Sequence, residues 1–169
     1  EIVREILKHD ACDAEMFKQK DGAGNTALIW AAKNGHTEVA QAIWNHEKFD
    51  PEMLQFQDAE GRNALMLAVQ NGHTDVAQAI LNYKAYNAEM LKQKDQTGAT
   101  SLMIAARKGH TKIVETILQS AKCDTEMLTE FFNWFTDSYE MSVKWVDDFF
   151  LEYDKMNMIL DASASELSR

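Results

Sequence analysis

Residues 18–54 read KQKDGAGNTALIWAAKNGHTEVAQAIWNHEKFDPEML, and this stretch decides the fold because the chain repeats it twice more. The copies are Lys18–Leu54, Gln55–Leu91 and Lys92–Leu128, each 37 residues long, and eleven positions hold the same residue in all three. Repetition at this period is typical of a solenoid, in which no unit buries its apolar face alone and stacking creates the core. The sequence therefore predicts an array of small stacked units.

The composition is that of a folded, acidic chain. Of its 169 residues, 46% are hydrophobic and only one is proline, and the formal net charge is −10. Generic binding to nucleic acid or to anionic membranes needs clustered Lys and Arg, so we expect neither. The longest apolar runs, such as Ala27–Ala32, are far shorter than the roughly 20 residues that span a bilayer. Because the chain opens at Glu1 rather than at Met, we expect it to be a piece of a longer protein.

Each repeat predicts a turn followed by two helices. Asp21 suits the first position of a tight turn that ends at Gly24. Thr26 is expected to cap the first helix, and Gly35 to end it in the left-handed conformation. Thr37 is then expected to cap the second helix, whose apolar residues recur at the i, i+4 spacing of a core stripe.

This order of turn, helix, Gly-His and helix resembles the ankyrin repeat over residues 18–128. In the first copy the resemblance rests on Asp21, Gly24, Thr26, Leu28, Ala31, Ala32, Gly35, His36, Val39 and Ile43. It implies an all-α fold, an ankyrin-repeat solenoid of stacked helix-turn-helix units with a C-terminal helical cap. It also implies a protein that binds partners and does not catalyse.

Two features depart from the pattern of that family. The usual T-P-L-H tetrapeptide appears as residues 26–29, T-A-L-I, so we expect apolar packing where the family has a polar network around His. The repeat also has 37 residues instead of about 33, and the extra residues follow the second helix. There residues 50–52, D-P-E, are typical of a helix start. Each unit is therefore expected to carry one extra helical turn, with Met53 and Leu54 tucked under the stack.

The repeats divide the chain into six predicted segments. These are residues 1–17, the second helix of a truncated N-terminal repeat; 18–54, 55–91 and 92–128, three ankyrin repeats; 129–160, an aromatic-rich acidic helical cap; and 161–169, a polar tail. The cap segment has Phe131, Trp134 and Phe135 at helical spacing, and two or three helices are expected, with a first break near residues 136–138. Its aromatic residues either close the end of the solenoid or dock another domain or protein.

No residue pattern indicates catalysis, a metal site or a cofactor. His36, His73 and His110 recur once per repeat, so each lies about 10 Å from the next, too far to share a metal ion. We expect them to be structural and bonded to neighbouring backbone. Cys12 and Cys123 occupy equivalent positions about 30 Å apart, beyond the reach of a disulfide. As buried thiols they favour a reducing, cytoplasmic compartment. Because hydrolase, zinc-protease and nucleotide-binding motifs do not occur in the sequence, we predict that the chain is not an enzyme.

The resemblance places the partner on a concave face made of turn tips and first helices. Carried over by position, the residues predicted to contact the partner are Asn25, Trp30, Lys33, Asn34, Glu60, Arg62, Gln70, Asn71, Gln96, Thr97, Arg107 and Lys108. Basic residues outnumber acidic ones on this face, with Arg62, Arg107 and Lys108 toward its later half. The sequence thus predicts a locally basic groove for an acidic or phosphorylated segment, with ordinary solvated surface as the alternative.

Trp30 allows two interpretations at this stage. It edges the predicted groove, or it packs in the core like Leu67 and Ile104 at the same position of the later copies. Burial in the core is the simpler expectation for an apolar position on the first helix.

The predicted function is that of a protein–protein interaction module, a scaffold that binds a partner protein. The alternative is a substrate-targeting segment of a larger enzyme, or of a secreted bacterial effector that acts on host proteins in the host cytosol. We expect a monomer. An end-to-end dimer through the N-terminal helix is the alternative, because Ile2, Val3, Ile6 and Leu7 lack an obvious cover.

Overall fold

A computed structural model describes residues 2–7, 9 and 13–138 of the chain. These residues form ten α-helices and one 3₁₀ helix, and none of them lies in a β-strand. In chain order they are α1 (Ile2–Leu7), α2 (Ala14–Lys18), α3 (Ala27–Lys33), α4 (Thr37–Trp44), the 3₁₀ helix Pro51–Gln55, α5 (Ala64–Gln70), α6 (Thr74–Asn82), α7 (Ala88–Leu91), α8 (Ser101–Arg107), α9 (Thr111–Leu118) and α10 (Thr125–Ser138). The prediction of an all-α fold is confirmed.

The helices of the first compact unit, residues 1–131, form two rows. The first helices of the repeats, α3, α5 and α8, pack side by side, and so do the second helices, α1, α4, α6 and α9. Each first helix also packs on the second helix of its own repeat. This sideways succession of helix pairs is the predicted solenoid.

The second compact unit comprises residues 132–169, of which the structure describes residues 132–138 at the end of α10. The helices expected in the rest of the predicted cap, and the predicted polar tail 161–169, lie outside the described residues.

One carboxylate closes each turn between repeats. Asp21 Oδ1 accepts hydrogen bonds from the backbone N–H groups two and four residues further on, at 2.9 and 2.8 Å. Asp58 and Asp95 do the same in the second and third copies. The turn predicted at Asp21 is confirmed, because Gly24 N–H donates to the Asp21 carbonyl at 3.0 Å.

Successive turns are joined by their backbones. Ala59 N–H donates to the Ala23 carbonyl at 2.9 Å, and one repeat later Gln96 N–H donates to the Glu60 carbonyl at 3.0 Å. Gly24 allows this approach for two reasons: its φ is +80°, and a Cβ there would lie 2.9 Å from the Ala59 nitrogen. Only glycine meets both requirements without strain.

The ends of the first helices follow the sequence prediction, but the start of the second helix does not. Thr26 caps α3 by accepting from Ile29 N–H, and Gly35 ends the helix at a φ of +74°. The N-cap of α4 is His36, which makes no side-chain capping bond, so the prediction that Thr37 is the cap is wrong by one residue. The His36 carbonyl accepts the first intrahelical bond, from Ala40 N–H at 3.0 Å, which places Thr37 inside the helix.

The extra turn predicted after each second helix is confirmed. It forms α2, the 3₁₀ helix and α7, whose N-cap side chains Asp13, Asp50 and Asn87 accept backbone N–H bonds. Met53 and Leu54 are buried as expected. The additional residues thus add apolar side chains to the core between repeats.

Three of the second helices, α1, α4 and α6, have a carbonyl at their end that is capped by a side chain from the next repeat. The bonds run from His46 Nε2 to the Leu7 carbonyl (2.9 Å), from Tyr83 Oη to the Trp44 carbonyl (3.2 Å), and from Lys122 Nζ to the Leu81 carbonyl. The three carbonyls are 37 residues apart, whereas the donors are three different residue types. The repeat pattern of the sequence therefore did not predict these three bonds, because the acceptor positions recur in each copy and the donor residue types do not.

We predict that Gly24→Ala destabilises the array more than the same change at Gly98 or Gly22. Gly98 has a φ of +79° but open space at its Cβ, so its substitution should cost about 1 kcal/mol, the penalty of the left-handed conformation alone. At Gly24 the clash with the Ala59 backbone should add about another 1 kcal/mol. Gly22, with neither constraint, should change the free energy of unfolding by less than about 0.5 kcal/mol.

Urea unfolding of the three variants measures this order. Equal free energies for Gly24→Ala and Gly98→Ala would show that the turns do not press on one another.

Candidate protein-binding surface

Six polar residues at the ends of the first helices form a continuous strip, which we call the first-helix stripe. They are Lys33, Asn34, Gln70, Asn71, Arg107 and Lys108, the last helical residue and the C-cap residue of α3, α5 and α8. All six are at least partly exposed. Because the three helices pack side by side, the successive pairs lie about 10 Å apart.

The two asparagines of the stripe are oriented by their own helices. Asn34 Nδ2 donates to the Trp30 carbonyl and Asn71 Nδ2 to the Leu67 carbonyl, both at 2.9 Å. Each amide therefore turns its donor toward the helix end and keeps its carbonyl oxygen as an acceptor for another molecule.

The cations at one end of the stripe lack the ion pairs that some other cations of the described residues make. Arg107 and Lys108 are exposed, and neither forms an ion pair with a described residue. Lys92, by contrast, contacts Asp124 at 2.8 Å and Glu126 at 2.5 Å, and these bonds raise its pKa. The stripe thus ends in two charges that are available to a partner.

The predicted turn-tip residues are exposed but restrained. Gln96 Nε2 donates to the Ala59 carbonyl at 2.6 Å, and Thr97 Oγ1 donates to Asp95 Oδ1 at 2.6 Å. Glu60 contacts Arg62. These residues are accessible beside the stripe, and their side chains already have bonds within the array.

The charge of Arg62, which was predicted to face a groove, is paired within the array. Its Nε and Nη2 donate to Asp58 Oδ2 at 2.9 and 2.7 Å, and Nη2 also contacts Glu60 at 2.7 Å. The Asp58 side chain is only 1% exposed. Burial alone would raise the pKa of Asp58, but the hydrogen bonds and charge of Arg62 outweigh it and lower that pKa. The position of Arg62 in the repeat did not predict its ion pair with Asp58.

Asn25 was predicted to contact the partner, but it is buried, at 4% exposure, and is not accessible on the surface. Its backbone N–H and its Nδ2 donate to the Asp21 carboxylate, which also accepts from Trp30 Nε1 at 2.7 Å. These bonds, with that of the Asn25 backbone foremost, lower the pKa of Asp21 to about 2. Asn25 is therefore part of the hydrogen-bonded turn itself.

Trp30 is 43% exposed, so the expectation that it is buried is wrong, whereas Leu67 and Ile104 at the same position are buried. Its indole is held between the Asp21 carboxylate and Lys33 Nζ, which lies 4.7 Å from the ring centroid. The physical reason for its exposure is that α3 is the first member of its row among the described helices, so no earlier first helix lies beside it.

Of the three histidines expected to bond to neighbouring backbone, His73 does so, whereas the rings of His36 and His110 make no such bond among the described residues. His73 Nε2 donates to the Lys33 carbonyl at 3.0 Å, which confirms the predicted backbone bond for this residue, and its ring packs against Gly35. Among the described residues no group of three or more His, Cys, Asp or Glu side chains is placed to hold a metal ion. Cys123 is free and half-buried, and burial raises its pKa to about 12. Cys12 lies outside the described residues.

Comparison with known families identifies the class of this array. A family model described as ankyrin repeats in three copies matches residues 1–90 and again residues 53–127. The chain therefore belongs to the ankyrin-repeat family. A search of curated proteins finds no match. Ankyrin repeats are generally protein–protein interaction modules and are typically not catalytic. None of the described helices combines the length and the apolar character needed to cross a membrane.

We predict that Arg62→Gln lowers the free energy of unfolding by about 1–3 kcal/mol, because it leaves the buried Asp58 carboxylate without its charged partner. Arg107→Gln is the matched control and should change it by less than about 0.5 kcal/mol. Chemical denaturation of both variants provides the measurement, and an equal effect of the two substitutions would contradict the structural role of Arg62.

Proposed function

We propose that this chain is a protein-interaction module whose first-helix stripe, with the turn tips Glu60, Gln96 and Thr97 beside it, binds an acidic or phosphorylated segment of a partner protein. Family membership supports the general role. The observation that carries the specific proposal is the pair Arg107 and Lys108, exposed together and without an ion pair among the described residues.

The stripe favours an extended segment with separated negative charges. Lys33 lies two repeats from Arg107, or about 20 Å if each helix adds about 10 Å. An extended peptide advances about 3.3 Å per residue, so about six residues bridge the two ends. Between them lie Gln70 and the two asparagines, which supply neutral hydrogen-bonding groups rather than charge.

A phosphorylated segment suits the Arg107 end of the stripe. The guanidinium presents a planar set of donors that matches the oxygens of a phosphate or a carboxylate, and Lys108 adds a second positive charge next to it. Arg62 is not part of this proposal because its charge is taken up by Asp58 and Glu60. Asn25 is likewise left out because it is buried.

We also propose a reducing compartment such as the cytosol as the place of action. The support is that Cys123 is a free, half-buried thiol, which is the usual state of cysteine in cytosolic proteins.

The proposal predicts that the double variant Arg107→Glu, Lys108→Glu loses acidic ligands. Peptides enriched from a displayed random library by the wild-type chain should carry a net negative charge. Their dissociation constants, measured by calorimetry, should rise about tenfold or more in the double variant, because reversed charges repel the ligand. Peptides synthesised with phosphoserine in place of an acidic residue should bind at least as tightly.

The control is the double variant Lys48→Glu, Lys84→Glu, which makes the same change in net charge on exposed residues that follow the ends of α4 and α6. It should leave the dissociation constants within about twofold, because a second helix of about 12 Å separates these residues from the stripe and salt screens charges over such a distance. Enriched peptides without acidic residues, or an equal loss in both double variants, would contradict the proposal.

A further inference from the structure

The exposed large apolar side chains of the described residues share one structural property. They are Ile6 at 52%, Met16 at 44% and Trp30 at 43% exposure. In the later copies the same positions are occupied by Ile43, Ile80 and Ile117, by Met53, Met90 and Met127, and by Leu67 and Ile104, none of which exceeds 4% exposure. The positions are therefore exposed only where they first occur in the described chain.

A fourth position has the same property. Ala27, at the start of α3, is exposed, whereas its equivalents Ala64 and Ser101 are buried. Together Ile6, Met16, Ala27 and Trp30 lie on α1, α2 and α3, the first members of the two rows and of the series of extra turns. We call these four residues the N-terminal end face.

Hydrogen-bond donors at this end repeat the pattern. At the inner junctions, Ala59 N–H and Gln96 N–H donate to the turn of the preceding repeat. The equivalent group is Gly22 N–H, and it makes no hydrogen bond within the described part of the chain.

The histidine of the Gly-His step does not add to this pattern. His73 donates to the Lys33 carbonyl of the preceding first helix, but its equivalents His36 and His110 make no such bond among the described residues, although the His110 ring packs against Gly72 of the repeat before it. The four exposed side chains and the Gly22 N–H therefore describe the missing neighbour, one that offers a turn carbonyl.

We propose that the N-terminal end face is an interface that receives an ankyrin-type turn and first helix, docked in the head-to-tail register of the inner junctions. The occupant contributes apolar residues against Ile6, Met16 and Trp30, and a turn carbonyl to the Gly22 N–H. This inference goes beyond the proposed function, since it concerns the end of the array and not the first-helix stripe.

The equivalence of the positions argues for such a helix in preference to a second copy of this chain in a symmetric dimer. At the inner junctions these positions are covered by the preceding repeat, and the N–H equivalent to that of Gly22 donates to its turn. A twofold axis would place one end face against another end face, which is not the surface that covers these positions inside the array. A head-to-tail unit presents the surface that does.

The test fuses a copy of residues 55–74 directly ahead of Glu1. Glu1 occupies the position of Asp75 in the repeat, so this 20-residue segment supplies a turn, a first helix and a Gly-His step in register. The control is a fusion of the same composition in scrambled order. Because the chain has four tryptophans, acrylamide quenching of Trp30 is taken as the difference between each protein and its Trp30→Phe variant.

The in-register segment should add helical circular dichroism, raise Tm by about 4 °C or more, and reduce the quenching of Trp30 to that of a buried indole. The scrambled segment should do none of these. If the in-register segment gains no helix, or leaves Trp30 as accessible as the scrambled one does, the inference is wrong. It is also wrong if sedimentation shows that the unfused chain forms a dimer in which Trp30 is already protected.

Discussion

The structure depends on hydrogen bonds that no repeat can make alone. The N–H of Ala59 reaches the Ala23 carbonyl of the turn before it, and the N–H of Gln96 reaches Glu60 in the same way. These bonds need turns that nearly touch, so the left-handed glycine at the fourth turn position is fixed by contact as well as by backbone conformation. Once the turns are in register, the helices that follow them pack side by side and bury their apolar faces against one another.

A second set of junctions acts at the opposite ends of the helices. The carbonyls of Leu7, Trp44 and Leu81 are capped by an imidazole, a phenol and an ammonium group in turn. A helix end leaves carbonyls without intrahelical partners, and burying them uncapped would be costly. The array satisfies this requirement three times with different chemistry, which shows that geometry and not residue identity is what the repeat preserves there.

The sequence predicted most of the local structure because local structure depends on few residues. The Asp turns, the caps at Thr26, Asn63 and Thr100, and the glycine helix ends each follow from the conformation that one side chain favours. The helix start was misplaced by one residue at Thr37, since the cap there is set by the backbone of the Gly-His step and not by a side chain.

The candidate surface was harder to predict because it depends on neighbours. Arg62 was assigned to the groove by its position, yet its side chain is long enough to fold back on the buried Asp58. Trp30 was expected to be buried, but its position in the repeat is buried only in the later copies, where an earlier first helix lies beside it. Repetition predicts what all units share, whereas the ends of the rows and the reach of individual side chains are properties of the assembled array.

Neighbouring turns, and not isolated repeats, complete the backbone hydrogen bonding of the array. Amide hydrogen exchange of three equivalent groups, Gly22, Ala59 and Gln96, measures this dependence. We expect Ala59 and Gln96 to exchange about a hundredfold or more slowly than Gly22, because only they donate to a preceding turn within the described chain. Equal exchange rates at the three positions would contradict it.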